Sequence, residues 1–174
     1  MRLLIISNRL PIRAERKEDG KTILLPSTGG LASGLSSYLD THSDKNTFSE
    51  YLWVGWPGNI SKDDAVVHEY VTRHHLHPIF LEATAAELFY SGFCNNTIWP
   101  LFHYFPSYAF YNADEWGSYR DINETFANEL SGIIKEDDII WIHDYHLMLL
   151  PQLLRQRHPY ASIGFFLHIP FPVF

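Results

Sequence analysis

Two apolar runs, residues 139–142 and 163–167, each break directly into a polar, histidine-bearing stretch: WIHDYHLMLLP over residues 141–151 and GFFLHIPFP over residues 164–172. A short continuous apolar run next to a helix-length segment reads as a strand buried on both faces of a sheet. Two such strands joined by a helix lie parallel, because the crossover returns the chain to its starting edge. The two histidine-bearing loops then open on one edge of the sheet, where α/β proteins build their sites. His143, Asp144, His146 and His168 are expensive side chains to place there for packing alone.

The rest of the chain repeats this alternation. Residues 3–7 form another continuous apolar run, as expected of a central parallel strand. Residues 8–26 are polar and punctuated by Pro and Gly, which predicts a long loop with a hairpin around Asp19-Gly20. In the following STGGLASGLSSYL, Leu31, Leu35, Tyr38 and Leu39 recur at helical spacing, so Gly29-Gly30 stands at the start of a helix. Residues 51–54 and 77–81 read as two further short strands, and Thr84-Ala85-Ala86-Glu87 as a capping box opening a helix to about Tyr90. Ile122, Phe126, Leu130 and Ile133 mark an amphipathic helix, and residues 147–157 a helix between the last two strands. Strands alternating with helices predict an α/β chain with a Rossmann-like, doubly wound, mainly parallel sheet, and 174 residues suit one domain of that kind.

Composition excludes several functions. A net charge of −7 argues against nucleic acid or an anionic membrane surface as partner, so a positive field for an anionic ligand must be local. The N-terminal MRLLIISNR returns to polar residues too soon for a signal peptide or a membrane helix, and the single Cys94 suits a reducing compartment, so a cytoplasmic protein is expected. The Asn-x-Ser/Thr triplets at Asn59, Asn95 and Asn123 are then chance matches. The last residue, Phe174, follows the last strand closely, with Pro170 and Pro172 between, which suggests the N-terminal part of a larger protein.

Three constellations carry chemistry. Arg9 follows the first strand, and Gly29-Gly30 opens a helix whose free N–H groups favour an anion. The glycines lie too far from the strand for the GxGxxG fingerprint, so a phosphate cradle and a plain turn remain open for them, as do ligand clamp and exposed charge for Arg9. Between Phe89 and Phe126 the chain carries 13 aromatic residues, of which Tyr90, Trp99, Tyr104, Tyr108, Trp116 and Tyr119 could stack on a sugar or hydrogen-bond to it, while most serve as core. His74, His75, His77, His143, His146 and His168 offer metal-ligand side chains, but HExxH and paired Cys/His spacings are absent, so neither metal nor cofactor is expected.

SNRLP, STGGLASGL, LWVGWPG, YSGFCNNTIWPLFHY, WIHDYHL and GFFLHIPFP, in this order, resemble the N-terminal half of the trehalose-6-phosphate synthases. These are retaining glycosyltransferases with two Rossmann-like domains, the GT-B arrangement. The resemblance spans essentially the whole chain and implies that residues 1–174 are the acceptor-binding domain, without the nucleotide-sugar-binding domain. It implies transfer of glucose from UDP-glucose to glucose 6-phosphate, giving trehalose 6-phosphate and UDP. Arg9 and Tyr90 would hold the acceptor phosphate, Trp99 and Trp56 would wall the acceptor sugar, and Asp144 would accept hydrogen bonds from its hydroxyls. Gly29 and Gly30 would give backbone N–H groups to the donor diphosphate, and His168 would sit beside the donor glucose. Asp144 and His168 thus stand as the catalytic pair, with same-face attack and no protein nucleophile; His143 and His146 fall back to structural roles. The isolated chain is expected to be inactive and, through an uncovered apolar surface, to self-associate. The competing readings are a non-catalytic sugar-phosphate-binding or regulatory module of the same origin, and a related glycosyltransferase with another acceptor.

Overall fold

The computed structural model describes residues 1–18, 22–42, 48–60 and 65–173. Its centre is strand β1 (Arg2–Arg9), the chain's first apolar run. After the hairpin strands β2 (Ile12–Arg16) and β3 (Thr22–Pro26) and helix α1 (Gly30–His42), β4 (Glu50–Trp56) returns parallel to β1. Helix α2 (Ala65–Arg73) leads to the short β5 (Leu76–Pro78), parallel to β4. The chain then crosses over, and β6 (Ile139–His143) pairs parallel with the other side of β1, followed by β7 (Ser162–Phe166). The five-stranded order is β5-β4-β1-β6-β7, so the expected doubly wound parallel sheet is present.

The pleat of β1 assigns the two faces. Leu4 and Ile6 join Val54, Ile140 and Ile142 in one buried cluster, while Leu3 and Ile5 join Trp53 and Leu76 in the other. The second face is covered by Leu35 of α1 and by Val67 and Val71 of α2. The first is covered by Ile122, Phe126 and Leu130 of α5 (Ala113–Ser131) and by Leu150 and Leu154 of α6 (Leu150–Arg157). β7 departs from the expectation of a strand buried on both faces: it is the sheet edge, and Phe165 and Phe166 are exposed.

Local boundaries show where chemistry overrode pattern. Helix α3 (Ala83–Glu87) is capped by Glu82, whose carboxylate accepts from the Ala85 amide at 2.8 Å, so the helix starts ahead of the Thr84 box. It runs directly into a π-helix (Leu88–Ile98) kinked at Gly92, and then into α4 (Trp99–Phe102), far beyond the expected end at Tyr90. A wider turn does not repeat every 3.6 residues, so the segment carries no helical apolar period. α5 starts well before its first expected residue, Ile122, because Asn112 caps it by accepting from Asp114 and Glu115 N–H. The expected helix over residues 147–157 resolves into a 3-10 turn (Tyr145–Leu147) and α6. The strand expected over residues 77–81 lies slightly earlier as β5, and only Ile79 N still bonds across, to Gly55 O. The β2–β3 pairing is the expected hairpin; its Asp19-Gly20 turn lies outside the described residues. Asn123 of the third Asn-x-Ser/Thr triplet is fully buried, so that match is no modification site. Among the described residues no helix is long and apolar enough to cross a membrane.

Candidate functional site

In the sheet order, successive connections leave β1 toward β4 and later toward β6. A ligand crevice forms where the winding reverses, at the carboxyl ends of the strands. A cleft of about 330 Å³ lies there, lined by Asn8 and Arg9 from β1, Gly29 and Gly30 at the entry to α1, Tyr90, His143 at the end of β6, and Asp144 and His146 just beyond it. The structure thus brings together five of the eight expected site residues: Arg9, Gly29, Gly30, Tyr90 and Asp144.

Arg9 is held from below. Its guanidinium carbon lies 4.7 Å from the centre of the buried Trp56 ring, a cation–π contact. Trp56 therefore carries Arg9 and is not among the residues lining the cleft. Two glycines make room for this packing. Gly58 has φ +86°, and a Cβ there would meet Arg9 Nη2 at 2.5 Å; a Cβ on Gly55 would meet the Ser7 carbonyl oxygen at 2.7 Å. Burial lowers the Arg9 pKa from its ordinary value, with Tyr90 acting in the opposite sense, yet a guanidinium stays cationic near neutrality. Among the described residues no carboxylate pairs with it.

Asp144 adopts φ 75° and ψ 166°, a sparsely populated conformation for a residue with a Cβ. Such a residue persists only when its surroundings over-determine it. Here its N–H donates to Phe166 O at 2.8 Å, while Oδ1 accepts from Tyr145 N at 2.9 Å and His168 N at 3.3 Å. The loops after β6 and β7 are tied together through this one side chain, whose Oδ2 lies 3.9 Å from His146 Nδ1.

His146 is buried beneath the cleft, stacked on Tyr145 with ring centres 4.0 Å apart and on Tyr90 at 5.6 Å. Burial pushes its pKa down, against the opposing charge of Asp144. Burial likewise pushes His143 down to about 4, with the charge of His168 adding to the effect. Both rings are therefore neutral at neutral pH. His168 is exposed and outside the cleft lining, but one of its ring nitrogens, Nε2, lies 3.0 Å from His143 Nδ1.

Trp99 stands at the start of α4, exposed and stacked on His103 with ring centres 4.0 Å apart, and does not line the cleft. Gly29 and Gly30 are exposed, and a Cβ on Gly30 would meet nothing within 4 Å. Gly29 N–H donates to Ser27 Oγ at a long 3.4 Å, and the value of the pair to a ligand lies in the N–H groups of a helix start, which have no partner within the helix. Asn8 was not expected at the site; it is buried against the cleft, and its Oδ1 has no hydrogen-bond partner among the described residues. Its only sequence signal was its place beside Arg9. Trp56 as a platform and the His143–His168 contact had no local signal at all.

A cation without a carboxylate partner among the described residues, a phenol, one pinned carboxylate and a helix N-terminus face one crevice. Such a set can hold an anion at one side and hydroxyl groups beside it. Among the cleft residues Asp144 is the sole carboxylate, so the paired-carboxylate chemistry of glycoside hydrolysis has no footing here. Among the described residues no group of three or more His, Cys, Asp or Glu could hold a metal ion.

The family model for glycosyltransferase family 20 matches residues 1–174. An α,α-trehalose-phosphate synthase (UDP-forming) of Botryotinia fuckeliana is 41% identical over 98% of this chain and 33% of its own length. Among solved structures, a UDP-forming α,α-trehalose-phosphate synthase of Burkholderia xenovorans, in complex with glucose 6-phosphate, is 31% identical with a TM-score of 0.73, covering 99% of this chain and 34% of that one. An E. coli chain solved with UDP-2-fluoro glucose bound is 31% identical with a TM-score of 0.71, over 99% and 34% of the two chains. The chain spans about a third of the length of the relatives it matches.

Proposed function

The chain belongs to glycosyltransferase family 20, and on that premise we propose that its cleft is the acceptor side of a UDP-forming α,α-trehalose-phosphate synthase. The reaction moves glucose from UDP-glucose to glucose 6-phosphate with retention of configuration. The observation that carries this reading is Arg9: a cation without a carboxylate partner among the described residues, braced on Trp56, in one cleft with Tyr90 and Asp144.

Each group then has a physical task. The Arg9 fork and the Tyr90 hydroxyl take the acceptor phosphate, since planar guanidinium donors match phosphate oxygens. Asp144, its Oδ1 already occupied by two backbone N–H groups, is a fixed acceptor for sugar hydroxyls through its remaining oxygen. That occupation suits positioning and not nucleophilic attack. The N–H groups at Gly29 and Gly30 face the leaving diphosphate, where the α1 dipole favours negative charge. His168 stands at the donor glucose, and Trp99 flanks the acceptor from outside the cleft. Catalysis is positioning and electrostatic stabilisation of the leaving group.

Residues 1–174 are on this reading the acceptor-binding domain, and nucleotide recognition belongs to a second domain. Among the described residues lining the cleft Arg9 is the one arginine or lysine, so these residues alone would bind glucose 6-phosphate and transfer almost no glucose. Small-molecule substrates, without nucleic acid or an anionic membrane surface, fit the −7 charge, and a cytoplasmic setting fits the single Cys94. The test is calorimetric binding of glucose 6-phosphate, glucose and inorganic phosphate, beside UDP release by the full-length protein. Binding of glucose 6-phosphate that is lost in Arg9→Ala, with UDP release, supports the reading. Tight binding without UDP release would instead favour a sugar-phosphate-sensing module.

A further inference from the structure

We infer that His143 is a positioning residue for His168: its Nδ1–H donates to His168 Nε2 and fixes His168 as the tautomer that carries its own proton on Nδ1. The inference rests on the reading of His168 as a donor-side group, and it assigns a task to a buried histidine that the proposed reaction does not otherwise use.

The two nitrogens are 3.0 Å apart and share one proton. Two arrangements of two neutral rings satisfy that contact. In one, His143 Nδ1–H donates and His143 Nε2 is bare. In the other, His168 Nε2–H donates to His143 Nδ1, and the neutral His143 must then carry its proton on Nε2. That Nε2 is buried and has no hydrogen-bond partner among the described residues. His143 is 1% exposed, with its ring packed 4.4 Å from Trp141 and 6.5 Å from Phe166, centre to centre. An orphaned buried N–H is rarer than an under-satisfied acceptor, because the donor has a single direction in which to be paired. The first arrangement therefore prevails, and the depressed pKa of His143 keeps the ring from holding both protons.

The consequence falls on His168. Its main chain is already tied by its N–H to Asp144 Oδ1, so ring orientation and tautomer are what remain to be fixed. With Nε2 accepting from His143, the free edge of His168 presents Nδ1–H, a hydrogen-bond donor to an oxygen of the sugar or diphosphate. The opposite tautomer would present a lone pair to those oxygens, which attracts neither phosphate nor a hydroxyl acceptor. A buried residue thus sets the sign of the interaction at the exposed one.

The test uses protein labelled with 15N-histidine. The imidazole nitrogen shifts should place the proton on Nδ1 in both His143 and His168; a proton on Nε2 of His168 overturns the inference. Two variants of the full-length protein separate positioning from packing. His143→Asn keeps an amide N–H near the Nδ1 position, whereas His143→Phe fills the space without a donor. His143→Phe should lower kcat about tenfold, the worth of one hydrogen bond, with KM for glucose 6-phosphate unchanged. His143→Asn should recover most of it. Equal losses in both variants, or losses that track thermal stability, would overturn the inference. Absence of glucosyl transfer by the wild-type protein would sink the functional reading alone, since the tautomer is read from the spectrum.

Discussion

Arg2 and Arg9 stand at opposite ends of β1, and the fold treats the same side chain in opposite ways. Arg2 is closed off: Nη2 lies 2.6 Å and Nε 3.0 Å from the two oxygens of Asp138, and Nη2 also donates to Ile133 O at 2.7 Å. Asp138 is itself buried and accepts from the Lys135 amide at 2.7 Å. Arg9 has the ring of Trp56 beneath it and no carboxylate partner among the described residues. One end of the sheet thus spends its charge on holding the chain together, and the other keeps its charge free for a ligand. Arg9 is exposed at the cleft, but its partial desolvation lowers its pKa, and a partly desolvated cation at a cleft points to binding.

The largest effect should come from breaking the closed end. Asp138→Asn removes the hydrogen-bonded carboxylate of Arg2, leaving only that of Glu50 at 4.0 Å, and should cost about 3 kcal/mol, read from chemical denaturation. Affinity for glucose 6-phosphate should stay within about twofold, because distant sites act independently. Burial alone would raise the Asp138 carboxyl, but the hydrogen bonds from Arg2 and Lys135 and their charges outweigh it, and its pKa lies below the ordinary 3.8. A depressed folded-state pKa gives stability that is full above the unfolded value and is lost as pH falls through the folded one. Acid titration of stability should therefore show a loss below about pH 4 in the wild type that Asp138→Asn lacks.

Next in size is Arg9→Ala at the open end. It should weaken glucose 6-phosphate binding by about 1.5–3 kcal/mol, roughly 10- to 150-fold, and change folding stability by no more than about 0.5 kcal/mol. Arg9→Lys should fall between, since a point charge neither forks to phosphate nor spreads over Trp56. If Arg9→Ala unfolds the protein as Asp138→Asn does, the contrast between the two ends collapses.

Gly55→Ala tests whether the ends are coupled. Its Cβ would press on the Ser7 carbonyl oxygen and on the backbone of Arg9 and Leu10, so it should cost about 1–3 kcal/mol of stability and also reduce ligand affinity. The smallest effect belongs to Gly30→Ala, where a Cβ meets open space. Stability should move by about 0.5 kcal/mol or less, and any change should appear only in UDP release, through crowding of the diphosphate.

Much of the scaffold was legible because it is written locally. The apolar runs that became β1, β4, β6 and β7 and the helical period of α1 and α5 each reside within one segment. Asp144 and Arg9 were legible as polar breaks at strand ends. The π-helix over Leu88–Ile98 was not, since a turn wider than 3.6 residues leaves no amphipathic period and brings Tyr90 to the cleft by a route the sequence does not mark. Glu82 displaced the Thr84 cap because any nearby carboxylate that reaches the free amides will do. Trp56 read as a cleft wall and proved to be a platform, a distinction that depends on which way one ring faces.

By itself the sequence determined the alternation of strand and helix, the polar strand ends and the family, all properties of short segments in order. Only the tertiary structure decided that β1 and β6 are neighbours, so that Arg9 and Asp144 share a cleft, that Arg2 is paired with a carboxylate and Arg9, among the described residues, is not, and that His143 touches His168. The reason is that hydrogen-bond partnership and burial are set by residues far apart along the chain, and each is fixed only when the sheet closes and removes water from one arginine while leaving the other at the open edge.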